Sequence, residues 1–474
     1  MMLAQNVVSR AATLLSQLVL AALLLPADFG VISLTYTVTV IAATLMNVGI
    51  DEVLLQRQRA LRLWIGPAFW ISLSLGLVAG LLVVLVSPVA AALYKAPELV
   101  GLLVILAASM PVQALATVPG MIMRARLQFG AVAVYGSLET VALAVLTVGL
   151  AWSGFGAYSF VIPVPILAVV RAVVWWRLAA ATGSLRPQRR RWKYVIGNTA
   201  VTAATRVIIN LISQGDYLVL GLLATQDVVG TYYFGFRLAG QPLWVLASNF
   251  SGVLFPALVQ LKSDPARQGA AALKAATLLS FCVMPLALVQ AAVAGPLVDS
   301  FFGQKWAASI PIIQLLSVGL ALDAVSWIAG ALLSARGEFV ATLRFLLVQG
   351  PVFFALVAIG AWLDQGIGVA CGVFLYYAIT QPLFVFRVYR RVGVTARQVA
   401  SIYLWPTGCA AAAVGAGLAA SKLPAFATEP LVQAAVICGV SGPLYAALVR
   451  SLAPKVWSEL SNRVRSGLRR SLPA

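Results

Sequence analysis

The feature that most constrains this chain is a succession of apolar runs, each long enough to form a membrane-crossing helix, repeated from one end of the sequence to the other. A bilayer core about 30 Å thick requires roughly 20 apolar residues in a helix that spans it. Fourteen such spans can be drawn, at 4–25, 31–55, 65–88, 99–122, 129–152, 155–177, 195–224, 229–261, 273–296, 308–334, 340–363, 367–389, 402–421 and 431–449. In hydrocarbon every backbone N–H and C=O must be paired within the protein, so runs of this kind become helices. The expected fold class is therefore all-α, a polytopic membrane protein with about 14 transmembrane helices. Composition points the same way: 61% of residues are hydrophobic and 10% charged, whereas soluble domains carry about 25% charged residues. A water-soluble enzyme is disfavoured. Histidine is absent, and Cys282, Cys371, Cys409 and Cys438 lie far apart in apolar stretches. No His-based catalysis, metal cluster, resident cofactor or cysteine framework is expected. The first span lacks a strongly basic start and a clear cleavage site after Leu25, so it is read as retained and not as a signal peptide.

Charge tests this parsing independently. The formal charge is +19, which on a soluble chain would point to nucleic acid. Here the basic residues fall between spans, where Lys and Arg in short loops favour the cytoplasmic side. Loops after even-numbered spans, with the tail, hold 26 of the 33 Lys and Arg, whereas loops after odd-numbered spans hold only Lys95, Lys305 and Lys422. Both termini are thus expected in the cytoplasm, and no nucleic-acid partner is expected. Most tryptophans fall near span ends, as indoles do at headgroup level. External connections are short, so no extracytoplasmic domain is expected.

The chain also resembles itself at a separation of about 200 residues. LLSQ at 14–17 answers LISQ at 211–214, and the segment ending at Gly30 answers the one ending at Gly230. RAR followed by Phe129 answers SAR followed by Phe339, and SGFG at 153–156 answers QGIG at 365–368. Six spans per copy is an even number, so both copies enter from the same side, a parallel repeat. The expected organisation is a six-helix bundle at 1–194, a second at 195–398, an additional helix pair at 399–450 and a basic cytoplasmic tail at 451–474.

Seven ionisable residues remain inside spans: Arg10, Arg171, Arg206, Arg237, Glu139, Asp216 and Asp323. A charge at mid-bilayer costs about 2.5–3.5 kcal/mol on insertion scales, so it normally faces a partner or a watery cavity. In span 1, Asn6, Arg10, Thr13 and Gln17 share one helix face, and Thr202, Arg206, Asn210 and Ser213 repeat nearly the same spacing in span 7. Span 8 adds Tyr233, Arg237, Gln241, Trp244 and Ser248. Arg10, Arg206, Arg237, Asn210 and Gln241 are the candidates for lining a cationic cavity. A guanidinium offers a permanently charged fork matched to phosphate oxygens. Arg10 and Arg171 are near the cytoplasmic side and can instead snorkel, which is the better reading for Arg171. Asp216 fits a structural ion pair or ion coupling. Glu139 and Asp323 fit an arginine partner, a bound proton or cation, or a small buried polar cluster.

Six stretches of the chain resemble those of a known family: PADFGVISL at 26–34, NVGIDEVLLQR at 47–57, RARLQF at 124–129, GFGAYSFV at 154–161, GTYYFGFRLAGQPL at 230–243, which contains Arg237 and Gln241, and FGQKW at 302–306. In this order the chain resembles the Wzx-type polysaccharide and lipid-linked oligosaccharide flippases of the multidrug, oligosaccharidyl-lipid and polysaccharide exporter superfamily. The resemblance implies two six-helix bundles around a cleft lined by spans 1, 2, 7 and 8, two extra helices offering a groove for a lipid tail, and alternating access. It implies a transporter, not an enzyme, of the bacterial inner membrane. The implied substrate is an undecaprenyl-pyrophosphate-linked oligosaccharide for exopolysaccharide, capsule or O-antigen synthesis, and polymerase or export proteins are implied partners. Glu139, Asp216 and Asp323 are then candidates for coupling to H+ or Na+. Two other readings stand beside it: an ion-coupled multidrug exporter of the same superfamily, disfavoured by a basic cavity, and a membrane glycosyltransferase or polymerase, disfavoured by the short external loops.

Overall fold

A computed structural model of the chain describes residues 2–46, 61–179, 205–424, 426, 429–459 and 461–462. These residues form helices and no strand. They run as α1 (Met2–Leu23), α2 (Pro26–Met46), α3 (Leu61–Leu93), α4 (Leu99–Ala125), α5 (Phe129–Trp152) and α6 (Pro163–Ala179), the last preceded by a single turn at Tyr158–Val161. Next come α7 (Thr205–Ser213) and α8 (Gly215–Leu223), bent by 44° from one another. There follow α9 (Gln226–Gln260), α10 (Pro265–Phe301), α11 (Ile310–Arg336), α12 (Phe339–Arg390), α13 (Ala396–Ser421) and α14 (Pro430–Leu452). Among the described residues ten helices are long and apolar enough to cross a membrane, or eleven if the bent pair counts as one span. The chain is a multi-span membrane protein, and the count of fourteen is not reached by this measure. One reason is that Val340–Arg390 counts once in this measure although it contains two arms, joined by non-helical backbone at Asp364 and Gln365.

The chain divides into two compact units, Met1–Tyr233 and Phe234–Ala474. In the first, α4 packs along α3 and α6, while α1 packs on α5. Helix α3 shows how lipid replaces water as the surrounding medium. Ala79 and Val83 are buried, while Leu77, Leu81, Leu85 and Val89, one turn apart along the helix, are 54–61% exposed. In water such a stripe would be an adhesive patch; against acyl chains it is simply solvated.

The two copies of the internal repeat meet within the first unit. The start of α2 and the start of α9 cross so closely that a Cβ on Gly30 would lie 2.0 Å from the Gln226 carbonyl oxygen. Reciprocally, a Cβ on Gly230 would lie 1.8 Å from the Pro26 carbonyl oxygen. Two glycines that correspond in sequence thus make the same contact from opposite sides, and only glycine lets the backbones approach so far.

In the second unit α10 packs against α11, and α11 against α12. Non-helical backbone at Asp364 and Gln365 breaks α12 into two arms, with Gln365 at φ 35°. Gly360 and Gly368 then face one another across the break, each lacking room for a Cβ beside the other's carbonyl, and Gly372 does the same against Leu356. This descending order of contacts makes α12 an antiparallel hairpin, its arms matching the spans at 340–363 and 367–389. The additional pair α13 and α14 packs on α10. Val293 forms a small core with Ala434 and Ile437, and the Tyr445 hydroxyl donates to the Phe281 carbonyl at 2.8 Å. Trp152 and Trp362, at the ends of α5 and of the first arm of α12, are 78% and 81% exposed, as expected of headgroup-level indoles.

Candidate functional site

Arg206 and Asn210 sit on successive turns of α7, and Arg237 and Gln241 on successive turns of α9. All four are half-buried, between core and exposed surface. Arg206, Arg237 and Gln241 are each engaged in an interaction. Asn210 donates from its amide to the Thr44 hydroxyl at 2.7 Å, and one turn beyond, Thr37 donates to the Gln214 side-chain oxygen at 3.2 Å. The first bond joins α2 to α7 and the second joins α2 to the residue between α7 and α8, so Asn210 ties helices together. Arg10 lies on α1, and its side chain is outside the described residues, as are the motif at 47–57 and the expected domain boundary at 194–195.

The three carboxylates have three different surroundings. Glu139 pairs with Arg171, Oε1 to Nη1 at 3.4 Å, with side chains 22% and 26% exposed. Of the alternatives open for Glu139 and Arg171, the structure shows the arginine–carboxylate pair joining α5 and α6. Asp216 is buried at the start of α8 and accepts from the Tyr232 hydroxyl at 2.7 Å and the Tyr217 backbone N–H at 3.0 Å. Tyr217 and Tyr232 meet edge to face, their ring centroids 5.5 Å apart, which holds the hydroxyl on the carboxylate. Asp323 on α11 accepts from the Trp327 indole N–H at 3.2 Å and lies 3.5 Å from the Ser326 hydroxyl. Both aspartates are therefore served by neutral donors, whereas Glu139 faces a cation.

A further basic constellation was not marked by sequence reasoning. Arg124 and Arg171 line one cavity of about 270 Å³ inside the first unit, with Ser72, Gln113, Thr117 and Trp175. Its signal was present: Gln113, Thr117, Gly120 and Arg124 are spaced by four, three and four along α4, and Arg171 and Trp175 by four along α6.

Comparisons with known proteins agree with this architecture. The family model described as "Polysaccharide biosynthesis protein" matches residues 19–311. The chain is 26% identical over 309 residues to the succinoglycan biosynthesis transport protein ExoT of Rhizobium meliloti, an alignment covering 63% of this chain and 61% of that one. It is 25% identical to the lipopolysaccharide biosynthesis protein WzxC of Escherichia coli, covering 79% of this chain and 76% of that one. Among solved structures, the lipid II flippase MurJ superposes with a TM-score of 0.77 at 13% identity, covering 95% of this chain and 99% of that one, and so shares its fold. With more than half of its length matched by the family model, the chain belongs to the polysaccharide biosynthesis protein family.

Proposed function

We propose that the chain is an alternating-access flippase that carries an undecaprenyl-pyrophosphate-linked oligosaccharide across the bacterial inner membrane, from the inner to the outer leaflet. The observation that carries the reading is the presence of half-buried Arg206 on α7 and Arg237 on α9, two segments that the sequence reading places in the membrane, in a member of the polysaccharide biosynthesis protein family. Such arginines are expensive in lipid unless they serve a charge, and a pyrophosphate headgroup is a charge they match. The transport names of ExoT and the flippase fold of MurJ support the same reading. Arg10 would add a third cation from α1, with Gln241 and the second amide N–H of Asn210, the first being given to Thr44, as neutral donors. For coupling to H+ or Na+ we favour Asp216 and Asp323, whose neutral partners leave a proton or cation able to compete. Glu139, held against Arg171, instead positions that arginine.

The test is polysaccharide export in a deletion strain complemented with Arg206→Ala, Arg237→Ala and the double variant. A lost charge-assisted hydrogen bond is worth about 1.5–3 kcal/mol, so each single variant should lower export by roughly tenfold or more. Lipid extracts should accumulate the lipid-linked oligosaccharide in the inner leaflet. Unchanged export at unchanged protein level in the double variant would remove these arginines from the pathway.

A further inference from the structure

From the groove at the open end of the α12 hairpin we infer that the second unit binds an anionic phospholipid of the surrounding membrane, its phosphate between Arg344 and Arg387 and its acyl chains along the two arms. The groove has a volume of about 490 Å³ and is walled by both arms, with Val340, Arg344 and Val348 on the first, Arg387 on the second and Arg391 just beyond it.

Charge in the groove is unbalanced, three arginines standing against one carboxylate. That carboxylate, Glu338, is already shared, since it accepts from Arg336 Nε at 2.7 Å and pairs with Arg391. Arg344 and Arg387 are exposed and, among the described residues, have neither an ion pair nor a side-chain hydrogen bond. Water alone can hydrate two exposed guanidinium groups, so charge by itself does not choose the occupant.

The surroundings choose it. On the first arm Val348 and Val352 follow Arg344 at intervals of four residues, and on the second Leu375, Ile379 and Leu383 lead to Arg387 at the same interval. These five apolar side chains are 40–64% exposed. Residues four apart lie one above another on a single helix face, so each arginine heads an outward apolar stripe. Such a stripe is solvated by acyl chains and not by water. The two arginines therefore stand where hydrocarbon gives way to headgroups, the height to which long cationic side chains reach. Phe345 and Phe384 meet edge to face at this level, their centroids 5.1 Å apart, and join the arms. The Arg391 guanidinium lies 6.0 Å from the Phe345 ring centroid, so the groove is held in shape from both sides.

An anionic phospholipid supplies in one molecule what the groove and the stripes need. Its phosphate oxygens accept from guanidinium donors, and its chains cover the stripes. A zwitterionic lipid brings its own ammonium and leaves the surplus charge in place, whereas a soluble phosphate leaves the stripes uncovered. The alternation of basic loops assigns this end of the hairpin to the cytoplasmic side, where anionic lipids give the leaflet its negative surface potential. Attraction to such a surface is typically worth about fivefold per basic residue. The inference does not rest on the transport role of Arg206 and Arg237.

The test is photo-crosslinking of the full chain in nanodiscs, mostly phosphatidylcholine with a minority of phosphatidylglycerol, with a diazirine on the acyl chain of one lipid or of the other. Labelled peptides are read by mass spectrometry. The ratio of phosphatidylglycerol to phosphatidylcholine labelling, corrected for abundance, is compared between the groove, at 340–352 and 375–391, and the exposed stripe at 77–89 on α3, which has no basic residue. The ratio should be about tenfold higher at the groove, the size expected for two basic residues facing an anionic headgroup with some screening. Arg344→Gln and Arg387→Gln, both at exposed positions, should each lower it by about threefold to fivefold. The double variant should bring it to the α3 value, and Arg450→Gln, at an exposed position near the end of α14, should leave it unchanged. Equal ratios at the groove and on α3 would leave the groove to water alone and overturn the inference. A ratio that survives the double variant would also overturn it, because the arginines would not then hold the headgroup. So would loss of the enrichment on adding millimolar glycerol phosphate at matched ionic strength, which would make a free anion the occupant.

Discussion

Glu338 shows how much a single side chain can join. Gly337, at φ 75°, ends α11 in a left-handed turn, and the next residue, Glu338, precedes α12. Its carboxylate accepts from Arg336 Nε at 2.7 Å and pairs with Arg391 at the far end of α12. The Arg336 hydrogen bond first, and Arg391 with it, hold the Glu338 carboxyl below its ordinary value against a smaller opposing effect of burial. A carboxylate with a depressed folded pKa contributes stability above its unfolded pKa, near 4.3, and loses it as pH falls through the lower folded value. Glu338→Gln should therefore lower the thermal midpoint at pH 7 by the equivalent of roughly 1 kcal/mol, given the partial exposure of the pair. The gap between wild type and variant should close as the pH is brought below about 4. A gap independent of pH would show that packing, and not charge, holds this junction. Asn210 teaches the converse lesson: its residue type and spacing marked it for a cavity, yet its amide is engaged by Thr44. Spacing places a polar residue on a face; it does not say whether the neighbour on that face is ligand or helix.

At the scale of elements, two glycine crossings decide how helices approach. In the α12 hairpin a Cβ on Gly368 would lie 1.9 Å from the Gly360 carbonyl oxygen, a backbone atom that cannot yield without the arm moving. Gly368→Val should separate the arms and destabilise the protein by roughly 2–4 kcal/mol, within the range for severe overpacking. Gly408→Ala, where nothing lies within 4 Å, is the control and should melt like wild type. Fluorescence-detected size exclusion after heating measures both. Indistinguishable melting of Gly368→Val and wild type would show that the arms separate freely. Helices α13 and α14 were expected from sequence as an addition to two bundles; the structure packs them on α10, through the Tyr445 hydroxyl and the Val293 core.

At the scale of the whole molecule, orientation remains a prediction of charge. With 26 of the 33 basic residues in alternate loops, Ser153 belongs outside and Ser334 in the cytoplasm. Both are exposed at helix ends. In a cysteine-free background, Ser153→Cys should react with a membrane-impermeant maleimide on intact cells, and Ser334→Cys only after permeabilisation. The reverse pattern would invert the topology.

The all-α membrane class, the repeat and the family resemblance were legible in the sequence, because lipid forces long apolar runs into helices and because a repeat leaves collinear markers such as Gly30 and Gly230. The stripes that carry Arg206 and Arg237 were legible for the same reason: a charge in an apolar helix has few alternatives. The partners of those charges were not. Glu139 could have met a cation, a proton or a polar cluster, and only the approach of α6 to α5 brought Arg171 within 3.4 Å. The cavity between Arg124 and Arg171 was hidden similarly, since its arginines lie over 40 residues apart on two helices and each, taken alone, looks like a loop or snorkelling charge. Periodicity along one helix is a local property and is written in the sequence. Which faces meet, and which charges they bring together where they meet, depends on packing between distant segments, and only the tertiary structure decided it.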